Sequence, residues 1–306
     1  MPIEQRDLAK LVEESLKVGG RAHMRPVIEK EILHYDILYA LDVQGLLDGV
    51  TFQGGTSLRL CYGSPRFSED LDFASGRDFS SASLARMREC IEEYIGKRYG
   101  LEVFVKEPGG VARGQEEGPV HVKKWQISVV TAPENRHLPR QRIKLEVVNL
   151  PAYSREPRAL VSNYAFLPDG YGDMLIMVES LDEIMADKMV SLVNCQSYVR
   201  YRDIWDLRWL VQKGARLDVE LVREKINDYN VKEYLEKLQG MKERLPEIIH
   251  GKQFRDQMSR FIPMEIQDRT LLKEKFYPFL VRQTEDLFDE LAGRMGGGEN
   301  VDDFLM

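Results

Sequence analysis

The chain has 306 residues, 43% of them hydrophobic and 30% charged, a balance that fits a globular protein of one large domain or two ordinary ones. No apolar run is long enough to cross a bilayer, and the charged start MPIEQRDLAKLVEE lacks the apolar core of a signal peptide, so a cytoplasmic protein with no membrane partner is expected. A net charge of −7 excludes a uniformly basic nucleic-acid glove, although a local patch can still bind a polyanion.

In chain order, helices are expected over residues 5–18 and 26–43. In the second, Val27, Ile28, Ile32, Leu33, Ile37, Leu38 and Leu41 form an apolar stripe at helical spacing, with Pro26 near its start. A β-rich run, Val50-Thr51-Phe52, leads into Gly54-Gly55-Thr56-Ser57 and a helix-permissive stretch. After the Gly63-Ser64-Pro65 turn the chain becomes extended through Asp70-Leu71-Asp72-Phe73. A helix over 80–99 and a strand over 101–105 follow. Residues 107–119 are rich in glycine and charge and read as a loop. Two strands come next, Val120 to Val130 and Arg142 to Leu150, with Glu146 on the polar face of the second.

Residues 151–177 carry proline and tyrosine irregularly and read as a connection between lobes. From Leu181 the pattern is helical, with segments at 181–196, 201–213, 218–227, 230–240 and 268–293. The expected organisation is α/β, an α+β mixed-sheet core over 1–165, beside an all-α lobe over 175–294, with a flexible tail at 295–306.

Cys61, Cys90 and Cys195 are far apart and read as reduced structural thiols. His34, His121 and His137 show no metal or triad spacing and read as ordinary polar residues. Tyr198, Tyr201 and Trp205 read as core rather than as stacking platforms. The basic clusters Arg136 to Arg142 and Arg200 to Arg202 are either solvated faces or polyanion contacts.

The chemistry concentrates in TFQGGTSLRLCYGSPRFSEDLDF, residues 51–73. On a strand, residues two apart point to the same side, so Asp70 and Asp72 project together while Leu71 and Phe73 face the core. Two carboxylates held that close repel unless a cation lies between them. Hard oxygen donors at this spacing suit Mg²⁺ (or Mn²⁺), completed by substrate phosphates. Glu146 supplies a third carboxylate on a neighbouring strand, the set that a two-metal phosphoryl or nucleotidyl transfer needs. The plain alternatives are surface acids for the D-x-D pair and a solvent-facing Glu146. Gly54 and Gly55 let a ligand approach the backbone, and Ser57 with the N–H groups of a helix start can hold phosphates. The plain alternative is a strand-to-helix turn capped by Thr56 or Ser57. No Gly-Lys-Ser/Thr follows the glycines and G-x-G-x-x-G is missing, which disfavours a Walker A loop and a dinucleotide fold. Arg66 either meets a phosphate or pairs with Glu69.

These residues resemble a known family. G-G-T-S-L-R, a spacer and R-F-S-E-D-L-D-F are similar to the first motif of the AbiEii/AbiGii (MenT-like) nucleotidyltransferase toxins, within the DNA polymerase β-like superfamily. The second half of the pattern resembles Glu183-Ile184-Met185-Ala186-Asp187-Lys188-Met189 followed by Arg200-Tyr201-Arg202-Asp203-Ile204-Trp205-Asp206-Leu207. The resemblance implies that Gly54, Gly55, Thr56 and Ser57 form the phosphate turn and that Asp70 and Asp72 are the metal pair. It implies that Lys188 contacts a nucleoside triphosphate, that Asp203 is an additional essential acid, and that Asp206 shares that role or fixes the helix. Read physically, Lys188 is either a snorkelling surface lysine or a point charge on the leaving pyrophosphate. Arg200 and Arg202 can pair with Asp203 and Asp206 as a structural network.

The expected activity is transfer of a nucleotide from a nucleoside triphosphate to an acceptor. The resemblance implies the 3′ end of a tRNA, arrested translation, and a cognate antitoxin protein as partner. The competing expectations are nucleotidylation or phosphorylation of a protein or small molecule, and a non-catalytic module that binds RNA or a partner. Clustered carboxylates argue against a mere polyanion binder.

Overall fold

The polar face of a seven-stranded sheet carries the carboxylates singled out above, and the other face builds the core. The structure, a computed structural model, describes residues 3–78, 84–109, 120–135, 137, 139–195 and 197–296. The chain divides into two compact units, Met1–Glu179 with Phe261–Met264, and Ser180–Arg260 with Glu265–Met306.

The first unit runs α1 (Leu8–Leu16), α2 (Arg25–Val43), β1 (Thr51–Gln53), α3 (Gly54–Tyr62), β2 (Leu71–Ala74), α4 (Met87–Tyr99), β3 (Val103–Lys106), β4 (Val122–Val129), β5 (Gln141–Val148), β6 (Arg155–Ala159) and β7 (Leu175–Glu179). The strand order is β3-β4-β5-β2-β1-β7-β6, with β2·β5 and β1·β7 parallel and the other pairs antiparallel. The fold is therefore α/β with a mixed sheet. Ile28, Ile32 and Ile37 of α2 and Ile91 and Ile95 of α4 share one core cluster with Trp125, Ile127, Ile143 and Leu145 of the sheet. Each such side chain taken from water stabilises the fold by about 1.5–3 kcal/mol.

α1 starts at Leu8, not at residue 5, because the Asp7 carboxylate caps it by accepting from the Lys10 N–H at 3.2 Å. α4 starts at Met87, later than expected, and residues 79–83 lie outside the described residues. The loop expected over 107–119 falls largely outside them as well, as does the tail from 297.

Residues 151–177 depart from expectation, since they contain β6 and β7. β6 reads Arg-Glu-Pro-Arg-Ala and is a sheet edge, so it needs no apolar face and tolerates Pro157. β7 is an apolar run that is buried where it pairs β1, with Phe52 opposite Val178.

Among the described residues the second unit is all helical: α5 (Leu181–Asn194), α6 (Tyr201–Gln212), α7 (Val219–Asp228), α8 (Tyr234–His250), α9 (Lys252–Ser259), α10 (Met264–Gln267, opening in the segment that belongs to the first unit) and α11 (Phe276–Gly296). α8 runs ten residues beyond the expected end at 240, with Pro246 inside it, and α9 was not anticipated. Glycine and proline near 240–251 mask the underlying stripe Leu238, Met241, Leu245 and Ile249, whose burial carries the helix through. Lys225 of α7 is buried against Glu183 and Asp187 of α5, at 2.7 and 3.1 Å, and ties those helices together. Among the described residues no helix is long and apolar enough to cross a membrane.

Candidate active site

The β1–α3–β2 segment positions the first set of residues. Gln53 ends β1, and Gly54 opens α3 with φ +77°, a conformation that favours glycine. A Cβ on Gly54 would lie 3.2 Å from Asp72 Oδ2, so the turn rests against that carboxylate. The first N–H groups of any helix have no partner within it, and Gln53 provides no side-chain cap here. The turn thus presents backbone donors beside an acid.

Sheet register then fixes the neighbours. Gln53 of β1 pairs Asp72 of β2, Asp72 pairs Glu146 of β5, and Glu146 pairs Lys124 of β4. Laterally paired residues project to the same face, so these four form one polar rung. Leu71 and Phe73 point the other way and are buried. Asp70, just before β2, accepts the Lys144 N–H at 3.2 Å on Oδ1.

Several contacts hold this edge. Thr56 Oγ1 donates to the Asp70 carbonyl and ties the turn to the acid strand. Lys30 and His34 of α2 grip Glu69, the lysine at its carboxylate (2.9 Å) and His34 Nε2–H at its carbonyl (3.0 Å). His34 is wholly buried, and that burial holds its imidazole down to about 4, so the ring is neutral. Arg59 of α3 forms a buried two-pronged pair with Glu31 of α2, at 2.7 and 2.9 Å, and reaches the Ser64 carbonyl at 2.9 Å.

Two expected phosphate contacts are not made available by these side chains. Ser57 is fully buried and its hydroxyl donates to the Gly54 carbonyl at 2.8 Å, so only its backbone N–H can serve a ligand. Arg66 is 2% exposed, donates to the Phe67 carbonyl at 2.8 Å, and packs so tightly under the turn that a Cβ on Gly55 would fall 2.4 Å from its Nη2. Glu69 pairs with Lys30 at 2.9 Å.

Asp70, Asp72 and Glu146 are each partly exposed. Glu146 accepts a hydrogen bond from Lys124 Nζ at 2.8 Å. That bond holds the Lys124 ammonium above its ordinary range against slight burial, helped by the charges of Glu146, Asp70 and Asp72. Carboxylate oxygens are the donors that Mg²⁺ or Mn²⁺ takes, so by donor chemistry these residues suit such an ion, with Asp70 already accepting the Lys144 N–H and Glu146 the Lys124 ammonium.

The second set lies in the helical unit. Lys188 of α5 is buried and its Nζ lies 3.0 Å from Asp203 and 2.8 Å from Asp206 of α6. Asp203 also accepts from Ser191 Oγ at 3.0 Å and pairs with Arg200. Burial acts to raise the Asp203 carboxyl, but Lys188 and Arg200 outweigh it and hold that group well below the usual carboxylate range. Lys188 is thus neither a snorkelling lysine nor an exposed cation. Trp205 is core, whereas Tyr198 is exposed.

Lys124 and Gln53 share the rung with the acids without having been singled out in the sequence, and His34 is a buried polar residue behind the same edge. Lys124 alternates with buried Trp125 and could have been placed on the polar face, but only register brings it to Glu146. The described cysteines are unpaired. Burial pushes the Cys61 thiol up to about 12 and Cys90 up to about 11, so neither is a ready nucleophile.

Comparison with known proteins adds an independent finding. The family described as nucleotidyl transferase AbiEii toxin, type IV toxin–antitoxin system, matches residues 36–290. No curated protein matches the chain. Among solved structures, JHP933 from Helicobacter pylori is 16% identical, with 89% of this chain and 96% of that one covered and a TM-score of 0.40. A second H. pylori protein, assigned provisionally to the nucleotidyltransferases, is 16% identical over 90% of this chain and 98% of its own, with a TM-score of 0.41.

Proposed function

From the premise that the chain belongs to the AbiEii nucleotidyl transferase toxin family of type IV toxin–antitoxin systems, we propose that it transfers a nucleotide from a nucleoside triphosphate to an acceptor hydroxyl, releasing pyrophosphate. The observation that carries this reading is the rung that sets Asp72 beside Glu146 in the parallel β2–β5 pair, next to the Gly54 turn.

In this reading Asp70, Asp72 and Glu146 hold Mg²⁺ or Mn²⁺. Such an ion, when bound, supplies positive charge to the entering and leaving oxygens of an in-line displacement. The backbone N–H groups of Gly54, Gly55, Thr56 and Ser57 take the phosphates, aided by the positive end of the α3 dipole. Thr56 contributes by fixing Asp70, Ser57 by closing the turn, and Arg66 by bracing it from beneath. Lys188 is assigned to the triphosphate, with Asp203 and Asp206 orienting its ammonium. The buried network among these three supports a positioning role for both acids.

The acceptor is assigned as the 3′ end of a tRNA, the outcome as blocked translation in the cytoplasm, and the partner as a cognate antitoxin. Membership in a toxin–antitoxin family supports the antitoxin, while the tRNA acceptor and the block of translation rest on the motif resemblance and on the test that follows. The test is incubation with each labelled ribonucleoside triphosphate, Mg²⁺ and total tRNA. Label should reach tRNA with the natural chain and fall at least about 100-fold with Asp72→Ala. Undiminished transfer by Asp72→Ala, or no transfer with any nucleotide, overturns the reading. Label recovered on protein instead would keep the transferase and remove the tRNA.

A further inference from the structure

The open face of the sheet is not uniform in charge. Across β3, β4 and β5 the register stacks Phe104, Ser128 and Arg142 on one rung, and Lys106, Gln126 and Lys144 on the next. The rung after that carries Lys124, Glu146, Asp72 and Gln53. The alternate residues Val105, Trp125, Ile127, Ile143 and Leu145 are buried in the core, so these rungs share the side away from it. Lys106, Lys124, Arg142 and Lys144 are all exposed. In a chain of net charge −7, four cations on three neighbouring strands are a local concentration. Exposed Glu102, next to β3, is the acid at its outer end.

An aromatic ring sits at the same outer end. Phe104 is 46% exposed, and the Arg140 guanidinium lies 4.7 Å from its centroid. An exposed ring on a basic sheet face can stack an unpaired base while neighbouring lysines take the phosphates. A duplex keeps its bases stacked on each other and has no use for such a ring.

We propose that this face of β3, β4 and β5 is a binding track for single-stranded RNA, with Phe104 stacking a base and Lys106, Lys144 and Arg142 contacting the backbone. The strand would run inward from the sheet edge toward Asp70 and Asp72. The direction of that track rests on the transfer reading above, while the binding does not. Charge complementarity commits the surface to a polyanion, and the exposed ring commits it to one with unpaired bases. The Arg140 and Arg142 members of the basic cluster noted in the sequence thereby gain a use, while Arg136 lies outside the described residues.

The experiment is fluorescence anisotropy of a labelled single-stranded RNA of about 12 nucleotides with the full chain, without nucleotide, over a series of salt concentrations. The K106Q/K144Q double variant should bind more weakly, and its slope of log affinity against log salt should be smaller by about 1.4, the value for two lost phosphate contacts on a single strand. Phe104→Ala should weaken binding by about 5- to 150-fold with little change in slope. Calorimetric affinity for Mg²⁺–nucleoside triphosphate should stay unchanged in both, and circular dichroism should report the same fold. Unaltered RNA affinity and slope in the double variant would overturn the proposal. Failure of the natural chain to bind the RNA would also overturn it and leave an acidic protein as the complement of this face. RNA binding that depends on these residues without any nucleotide transfer would sink the enzymatic reading and keep the track. Transfer to tRNA with an unchanged KM for RNA in the double variant would do the reverse.

Discussion

Gly54 and Asp72 constrain each other. The turn needs φ +77° at Gly54, and the missing Cβ is what lets Asp72 Oδ2 come close. A Gly54→Ala chain carries a left-handed backbone penalty of about 1–2 kcal/mol and a side chain aimed at the carboxylate. Its thermal midpoint should drop and nucleotide transfer should fall further than stability alone accounts for. A variant as stable and active as the natural chain would show that the close approach is unnecessary. His34 acts from behind the same edge. Its ordinary value near 6.5 is held down to about 4 by burial, so the unfolded chain takes up a proton in that interval and the folded one does not. Stability should therefore decline as pH falls from about 6.5 to about 4, by about 3 kcal/mol for this group at most. Urea unfolding of His34→Gln across that range should show a shallower decline, and an identical one would remove His34 from the account.

Helices α5 and α6 are joined by ions rather than by grease alone. Lys188 is enclosed with Asp203 and Asp206, all less than a tenth exposed. Removing one partner of a buried pair leaves an uncompensated charge, which costs about 3–5 kcal/mol. Lys188→Met should be destabilised by that order, and adding Asp206→Leu should recover part of the loss if the two truly interact. Thermal melts of the single and double variants decide this, and additive losses would argue against the network. Asp203 also brings acid sensitivity. Its carboxyl is held below the ordinary value of 3.8, so its stabilising contribution is present above that pH and is lost as pH falls further. A loss of activity in Lys188 or Asp203 variants therefore needs a folding measurement beside it before any catalytic meaning is drawn.

The family match runs from 36 to 290 and so takes in most of both units. In the proposed function the ion and the nucleotide bind the folded chain, and a ligand at 100 times its Kd adds about 2.7 kcal/mol. Mn²⁺ with a nucleoside triphosphate should raise the thermal midpoint of the natural chain, and chelation should reverse it. Asp70→Asn with Asp72→Asn should show no such shift, and an equal shift in that variant would place the ion elsewhere.

The strand through Asp72, the Gly-Gly-Thr-Ser turn and the helical stripe of α2 were legible as they stood, because periods of 2 and 3.6 residues and the conformational freedom of glycine are properties of a few consecutive positions, whereas Asp70 falls just before β2. Strands β6 and β7 were not, since an edge strand needs no apolar face and a buried one loses its alternation. Nor could any local pattern place Glu146 beside Asp72, bring Lys124 to Glu146, bury Ser57 and Arg66 behind the turn, or enclose Lys188 between two aspartates. Those outcomes depend on which strands and helices become neighbours and in what register. Burial of the whole core settles that choice among segments distant in the chain.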